Sequence, residues 1–113
     1  MAIQKWSDTI TVVELSEDPQ FTEELGALMD GLEGRPTDVV LNFAAVGFIN
    51  SSNVARLLRL RKMMLTHKRR LILSGVNTQV WGIFLVTGLD KIFEFTNDIA
   101  TALATLQLEQ KAF

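Results

Sequence analysis

Phe21, Leu25, Leu28 and Leu32 follow one another at intervals of four, three and four residues, a spacing that gathers apolar side chains on one side of an α-helix. Asp18-Pro19 in front of them reads as a cap followed by a proline at the first helical position. Gly31, Gly34 and Pro36 end the segment. Upstream, Thr9 to Leu15 is rich in β-branched residues, with Ile10, Val12 and Leu15 marking a strand, and Ile3 to Trp6 can pair with it by turning through Ser7-Asp8. Downstream, Val39, Val40, Leu41 and Phe43 form the nearly unbroken apolar run of a strand covered on both faces. Asn50, Ser51 and Ser52 are three successive capping residues before a helix expected from Ser51 to Thr66. His67 to Arg70 is a basic turn, and Leu71 to Leu73 a buried strand. Asn77 or Thr78 caps a third helix that Gly88 ends. Lys91 to Phe95 is a short strand, and Thr96 or Asn97 caps a last helix with Ile99, Leu103 and Leu106 inside.

Strands and helices therefore alternate with short connections, which predicts an α/β fold: one domain over residues 1–113, a mostly parallel mixed sheet of four to five strands, and about four helices. The expected core includes Phe21, Leu25, Leu57, Leu58, Ile83, Phe84 and Leu103. Around the second helix, Val54, Leu57, Leu58, Met64 and Leu65 gather toward the sheet, with Arg61 at their edge. Arg56, Arg59, Leu60 and Met63 gather on the other side. Arginine mixed with apolar anchors is the composition of a partner-binding stripe, the alternative being a solvated face with two stray apolar residues. On the third helix, Val80, Ile83, Phe84 and Thr87 point inward, leaving Trp81 and Leu85 as an outward pair. Such a pair suits a protein interface, self-association included, unless the helix is rotated to bury it.

Composition removes several function classes. The 113 residues, 48% of them apolar, contain no cysteine, so disulfides, thiolate metal sites and cysteine nucleophiles are out of reach. His67 stands alone in the basic turn. The acidic residues show no ligand spacing around it, and the glycines spell neither a dinucleotide fingerprint nor a phosphate-binding loop. Neither catalysis nor a metal nor any other cofactor is expected. A formal charge of −2 gives no global attraction to nucleic acid, although the middle of the chain is basic. No acid lies between Asp38 and Asp90, where Arg56, Arg59, Arg61, Lys62, Lys68, Arg69 and Arg70 all fall. The N-terminal residues lack the apolar stretch of a signal peptide and no run is long enough to span a membrane, so a cytoplasmic protein is expected.

Functional groups in parallel α/β folds gather beyond the carboxyl ends of strands, and Asn50-Ser51-Ser52-Asn53 lies there while also opening a helix. Free N–H groups and the helix dipole would stabilise an anion or a phosphorylated hydroxyl at that point. Plain capping, which contributes about 0.5–2 kcal/mol, explains the same residues.

The stretch Val39-Val40-Leu41-Asn42-Phe43 with Val46-Gly47-Phe48-Ile49-Asn50-Ser51-Ser52 resembles the central strand and loop of STAS domains. Thr87-Gly88-Leu89-Asp90-Lys91-Ile92-Phe93 resembles the family's second landmark, and the likeness extends from about Ile10 to Leu106. The resemblance implies an anti-sigma-factor antagonist: a non-enzymatic protein-binding module that switches partners with an anti-sigma factor serine kinase. Phosphorylation would fall on the first serine of the loop, here Ser51, with Asn50, Ser52 and Asn53 completing the switch loop. Asn50 stands where the family usually has aspartate, and Asn53-Val54-Ala55 where it has Gly-Leu-Gly. An alternative within the family is a constitutive scaffold or transporter-associated subunit whose serine is never phosphorylated. A small nucleotide-binding protein on a flavodoxin-like sheet is a third reading, and it lacks the glycine-rich loop it would need.

Overall fold

Residues Ile10–Glu14 (β2), Asp38–Asn42 (β3) and Leu71–Ser74 (β4) run parallel at the centre of a five-stranded sheet, and the computed structural model describes residues 3–111 around them. Ile3–Lys5 (β1) pairs antiparallel with β2, and Glu94–Thr96 (β5) lies parallel to β4, so the strand order is β1-β2-β3-β4-β5. Among the described residues four α-helices pack on this sheet: Gln20–Gly34 (α1), Ser51–Thr66 (α2), Thr78–Thr87 (α3) and Ile99–Lys111 (α4).

Alternation along the strands divides the core. Val13, Val39, Leu41, Leu71 and Leu73 face the larger cluster, which α1, α2 and α3 cover with side chains such as Phe21, Leu25, Leu57 and Phe84. Val12, Val40 and Ile72 stand in one row across β2, β3 and β4 and face the opposite way, onto Ala102 and Leu106 of α4. The central strands are thus largely apolar because both faces are covered. Thr11, Asp38 and Ser74 are buried polar exceptions in these strands: the Thr11 hydroxyl pairs with that of Thr37 at 2.7 Å, Asp38 accepts the Arg70 N–H, and the Ser74 and Thr96 hydroxyls pair at 2.7 Å.

Several expected boundaries move. Pro19 occupies the cap position of α1 and the helix begins at Gln20. The strand expected at Lys91 to Phe95 is Glu94–Thr96, because Leu89–Lys91 closes into a 3-10 turn after Gly88. Gly88 itself ends α3 with φ 75°, a conformation glycine adopts without a Cβ penalty. Asp98, rather than Thr96 or Asn97, caps α4 by accepting the Thr101 N–H at 2.8 Å.

The phase of α2 also differs from the sequence reading. Leu57, Leu60 and Met64 are its buried apolar residues, with Asn53 one turn ahead of them. Leu58, expected in the core, is 37% exposed, and Leu65 is exposed too. Leu60, expected on the partner-binding face, is wholly buried, and Met63 is half-buried against the core. The true stripe runs 53, 57, 60, 64, and its first member is polar. Hydrophobicity alone therefore centred the stripe to one side.

Basic residues of the turn after α2 are used internally. Lys68 takes a left-handed conformation (φ 57°), while the Lys68 N–H donates to Leu65 and the Arg69 N–H to Met64, the paired bonds of a Schellman closure. Arg69 meets Asp38 and donates to the Thr9 carbonyl. Arg70 pairs with Glu94 on β5 and Glu109 on α4. No helix among the described residues is long and apolar enough to cross a membrane.

Candidate functional site at the start of the second helix

The chain leaves β3 through Phe43, whose ring is buried edge-on between Phe21 and Phe84. Val46 and Ile49 then pin the following loop by burial, and the Asn77 amide donates to the Val46 carbonyl at 3.2 Å, tying the loop to the cap of α3. Phe48 between these anchors points outward and is 58% exposed. The Gly47 N–H donates to Glu17 Oε2 at 3.2 Å, and an added Cβ would meet that same oxygen at 3.2 Å, displacing the flexible Glu17 side chain slightly.

Asn50 caps α2 through a reciprocal pair of bonds. Its Oδ1 accepts the Asn53 N–H at 2.8 Å, and its own N–H donates to Asn53 Oδ1 at 3.0 Å, the capping-box arrangement. Ser51 and Ser52 are exposed in the first helical turn, where free N–H groups face outward. Asn53 is 97% removed from solvent, with 3% exposure, so its amide needs a partner. Asp18, at the start of α1, provides it: Oδ2 accepts from Asn53 Nδ2 at 2.9 Å and from Asn50 Nδ2 at 3.5 Å. Asp18 Oδ1 accepts from the Thr22 N–H and hydroxyl. Donation by Asn53, and next by Thr22, holds the Asp18 carboxyl below the usual carboxylate range.

The remaining sequence candidates are dispersed. Arg56 is half-buried, and its Nε has no hydrogen-bond partner among the described residues. It stands four residues after Ser52, on the same side of the helix, rather than beside Ser51. Arg59 is exposed. On α3, Leu85 is 50% exposed as expected, but Trp81 is half-buried, because its ring packs edge-on against Phe95 at 4.9 Å between centroids. Trp81 and Phe95 line a cleft of about 300 Å³ together with Val76, Thr96 and Asn97. Among the described residues no three potential ligands gather as a metal site.

Glu17, Asp18 and Phe48 are the members of this surface that sequence reasoning missed. Both acids follow the carboxyl end of β2, parallel to β3, and that position was the available signal.

Solved structures share this architecture at low sequence identity. A candidate anti-sigma factor antagonist from Thermotoga maritima, TM1081, superposes with a TM-score of 0.83 at 16% identity over 93% of this chain and 92% of its own. A serine-to-glutamate variant of Moorella thermoacetica RsbS gives 0.79 at 19% identity, over 98% of this chain and 100% of its own. An anti-sigma-factor antagonist (STAS) domain protein from Planctomyces limnophilus gives 0.77 at 17% identity, over 93% and 97%. No curated protein matches the chain in sequence. The sequence model of the STAS domain covers residues 3–102, and with that span matched the chain belongs to the STAS domain family.

Proposed function

We propose that this protein is a non-enzymatic regulatory module of the anti-sigma-factor-antagonist kind, acting as one cytoplasmic domain. It binds a protein partner, an anti-sigma factor serine kinase, through the loop that carries Ser51. The observation that carries the reading is an exposed Ser51 in the first turn of a helix whose cap is already satisfied by Asn50 and Asn53. A phosphate there adds about −1.5 to −2 charges, which the helix N-terminus tolerates without unfolding. The fold persists while the surface changes sign. A partner docking over this loop is then repelled by charge and by the desolvation of an incompletely paired phosphate.

Asn50, in place of the resembled aspartate, favours the second reading of a constitutive scaffold, because it leaves the loop without its expected charge; Asn53, where the family has glycine, is buried on Asp18 and leaves the approach open. The comparison of Ser51→Ala with Ser51→Asp separates the two. A kinase co-purifying from native lysate should bind wild type and alanine alike, and the aspartate variant at least about tenfold more weakly by calorimetry, a difference of about 1.4 kcal/mol. Circular dichroism should be unchanged. Equal affinity for all three, with no phosphate appearing at Ser51 when kinase and ATP are supplied, would establish the scaffold instead.

A further inference from the structure

Two acidic side chains of the β2–α1 loop reach across to the loop before α2. Glu17 accepts from the Gly47 N–H, and Asp18 accepts from Asn50 and Asn53, contacts separated by 30 to 35 residues in sequence. The orientation of both amides is fixed by the network itself. Each asparagine spends its oxygen on the other's backbone N–H, so each must turn its NH₂ group away, and both NH₂ groups converge on Asp18 Oδ2. Asp18 Oδ1 is occupied by Thr22. Asn50, Asn53 and Thr22 all meet this carboxylate as donors, and Asn53, its nearest amide, is buried and cannot turn to water instead.

We propose that Asp18 is the positioning residue of the Ser51 loop: its carboxylate selects amides at positions 50 and 53 and locks the first turn of α2 onto the start of α1. The surface around Ser51 is then one platform built by two loops, with Glu17 on Gly47 as a second strut. A carboxylate at position 50 would keep the cap, since one oxygen suffices to accept the Asn53 N–H. Its other oxygen would replace a donor facing Asp18 at 3.5 Å with a second negative charge. The inference rests on the reading of the Ser51 loop as the partner-binding surface, but its central test needs no partner.

Asp18→Asn, Asn50→Asp and the double variant are compared in the full chain by chemical denaturation and by native-state amide exchange at residues 51–54. Each single change should speed exchange there by roughly five- to tenfold, the amount expected when one hydrogen bond to the Asp18 carboxylate is lost. The double variant should exchange more slowly than Asn50→Asp alone, because an amide at 18 again faces a carboxylate at 50. Asn50→Asp alone should gain stability as the pH is lowered from about 7 to 5, when the facing carboxylates share a proton. Asp18→Asn and the double variant should show no such gain. Single effects that add in the double variant, or an Asn50→Asp profile parallel to that of wild type, would overturn the proposal. Partner binding is measured last on the same variants. Coupling in stability with unchanged binding would leave Asp18 as the loop's lock and reject the Ser51 surface as the docking site.

Discussion

Leu58 and Leu60 are two residues apart on α2 and exchanged roles between sequence and structure, which makes them a direct measure of the helix phase. Leu60 is enclosed on all sides, so Leu60→Ala removes packed methyl groups and should cost about 2–5 kcal/mol in chemical denaturation. Leu58→Ala, at a position 37% exposed, should cost less than about 1 kcal/mol. The reverse order would restore the phase read from the sequence. Asn53 explains the misreading, since a polar residue in the first core position of the stripe is visible only through its partner, Asp18, 35 residues away. By contrast Asn50, Asn77 and Gly88 were legible, because a cap is satisfied by neighbours within one turn and leaves its signature in adjacent residues.

The third helix divides into a structural half and an exposed half. Trp81 leans on Phe95, while Leu85 and Val86 lie in solvent. Trp81→Ser should therefore lower stability by about 1–3 kcal/mol, whereas Leu85→Ser should stay within about 0.5 kcal/mol. If α3 contributes to association, Leu85→Ser weakens it without the stability loss. A helix this apolar has no clear polar side, so its inward direction comes from the aromatic cluster of Phe84, Phe93 and Phe95. That cluster is assembled by β5, which the sequence placed a few residues early at Lys91 to Phe95, and by the segment after a 3-10 turn that the sequence reading did not include. Aromatic contact across elements, rather than periodicity, set the rotation of Trp81.

At the scale of the whole molecule, alternation of strands and helices made the fold readable, since each central strand is largely apolar and α2 and α3 each open on an asparagine cap. The joining of the β2–α1 loop to the Ser51 loop was not readable in that way, because it exists only after β2 and β3 have paired. This joint is also acid-sensitive. Asp18 is held below its ordinary value chiefly by Asn53, and Asp98 below its own by the Thr101 N–H. Each stabilises the fold fully above the unfolded carboxylate value of about 3.9 and ceases to do so as pH falls through the lower folded value. Asp18→Asn should therefore lose less stability than wild type between about pH 5 and 2, as followed by denaturation midpoints. The sheet itself ends on each side in a strand of three residues, Ile3–Lys5 and Glu94–Thr96, with Lys5 on one rim and Glu94 on the other. Among the described residues, an incoming backbone finds few unpaired N–H and C=O groups on either rim with which to add a strand of its own. Edge-to-edge polymerisation is discouraged at both rims, which favours recognition through side chains on the loops and helices over recognition through the ladder of the sheet.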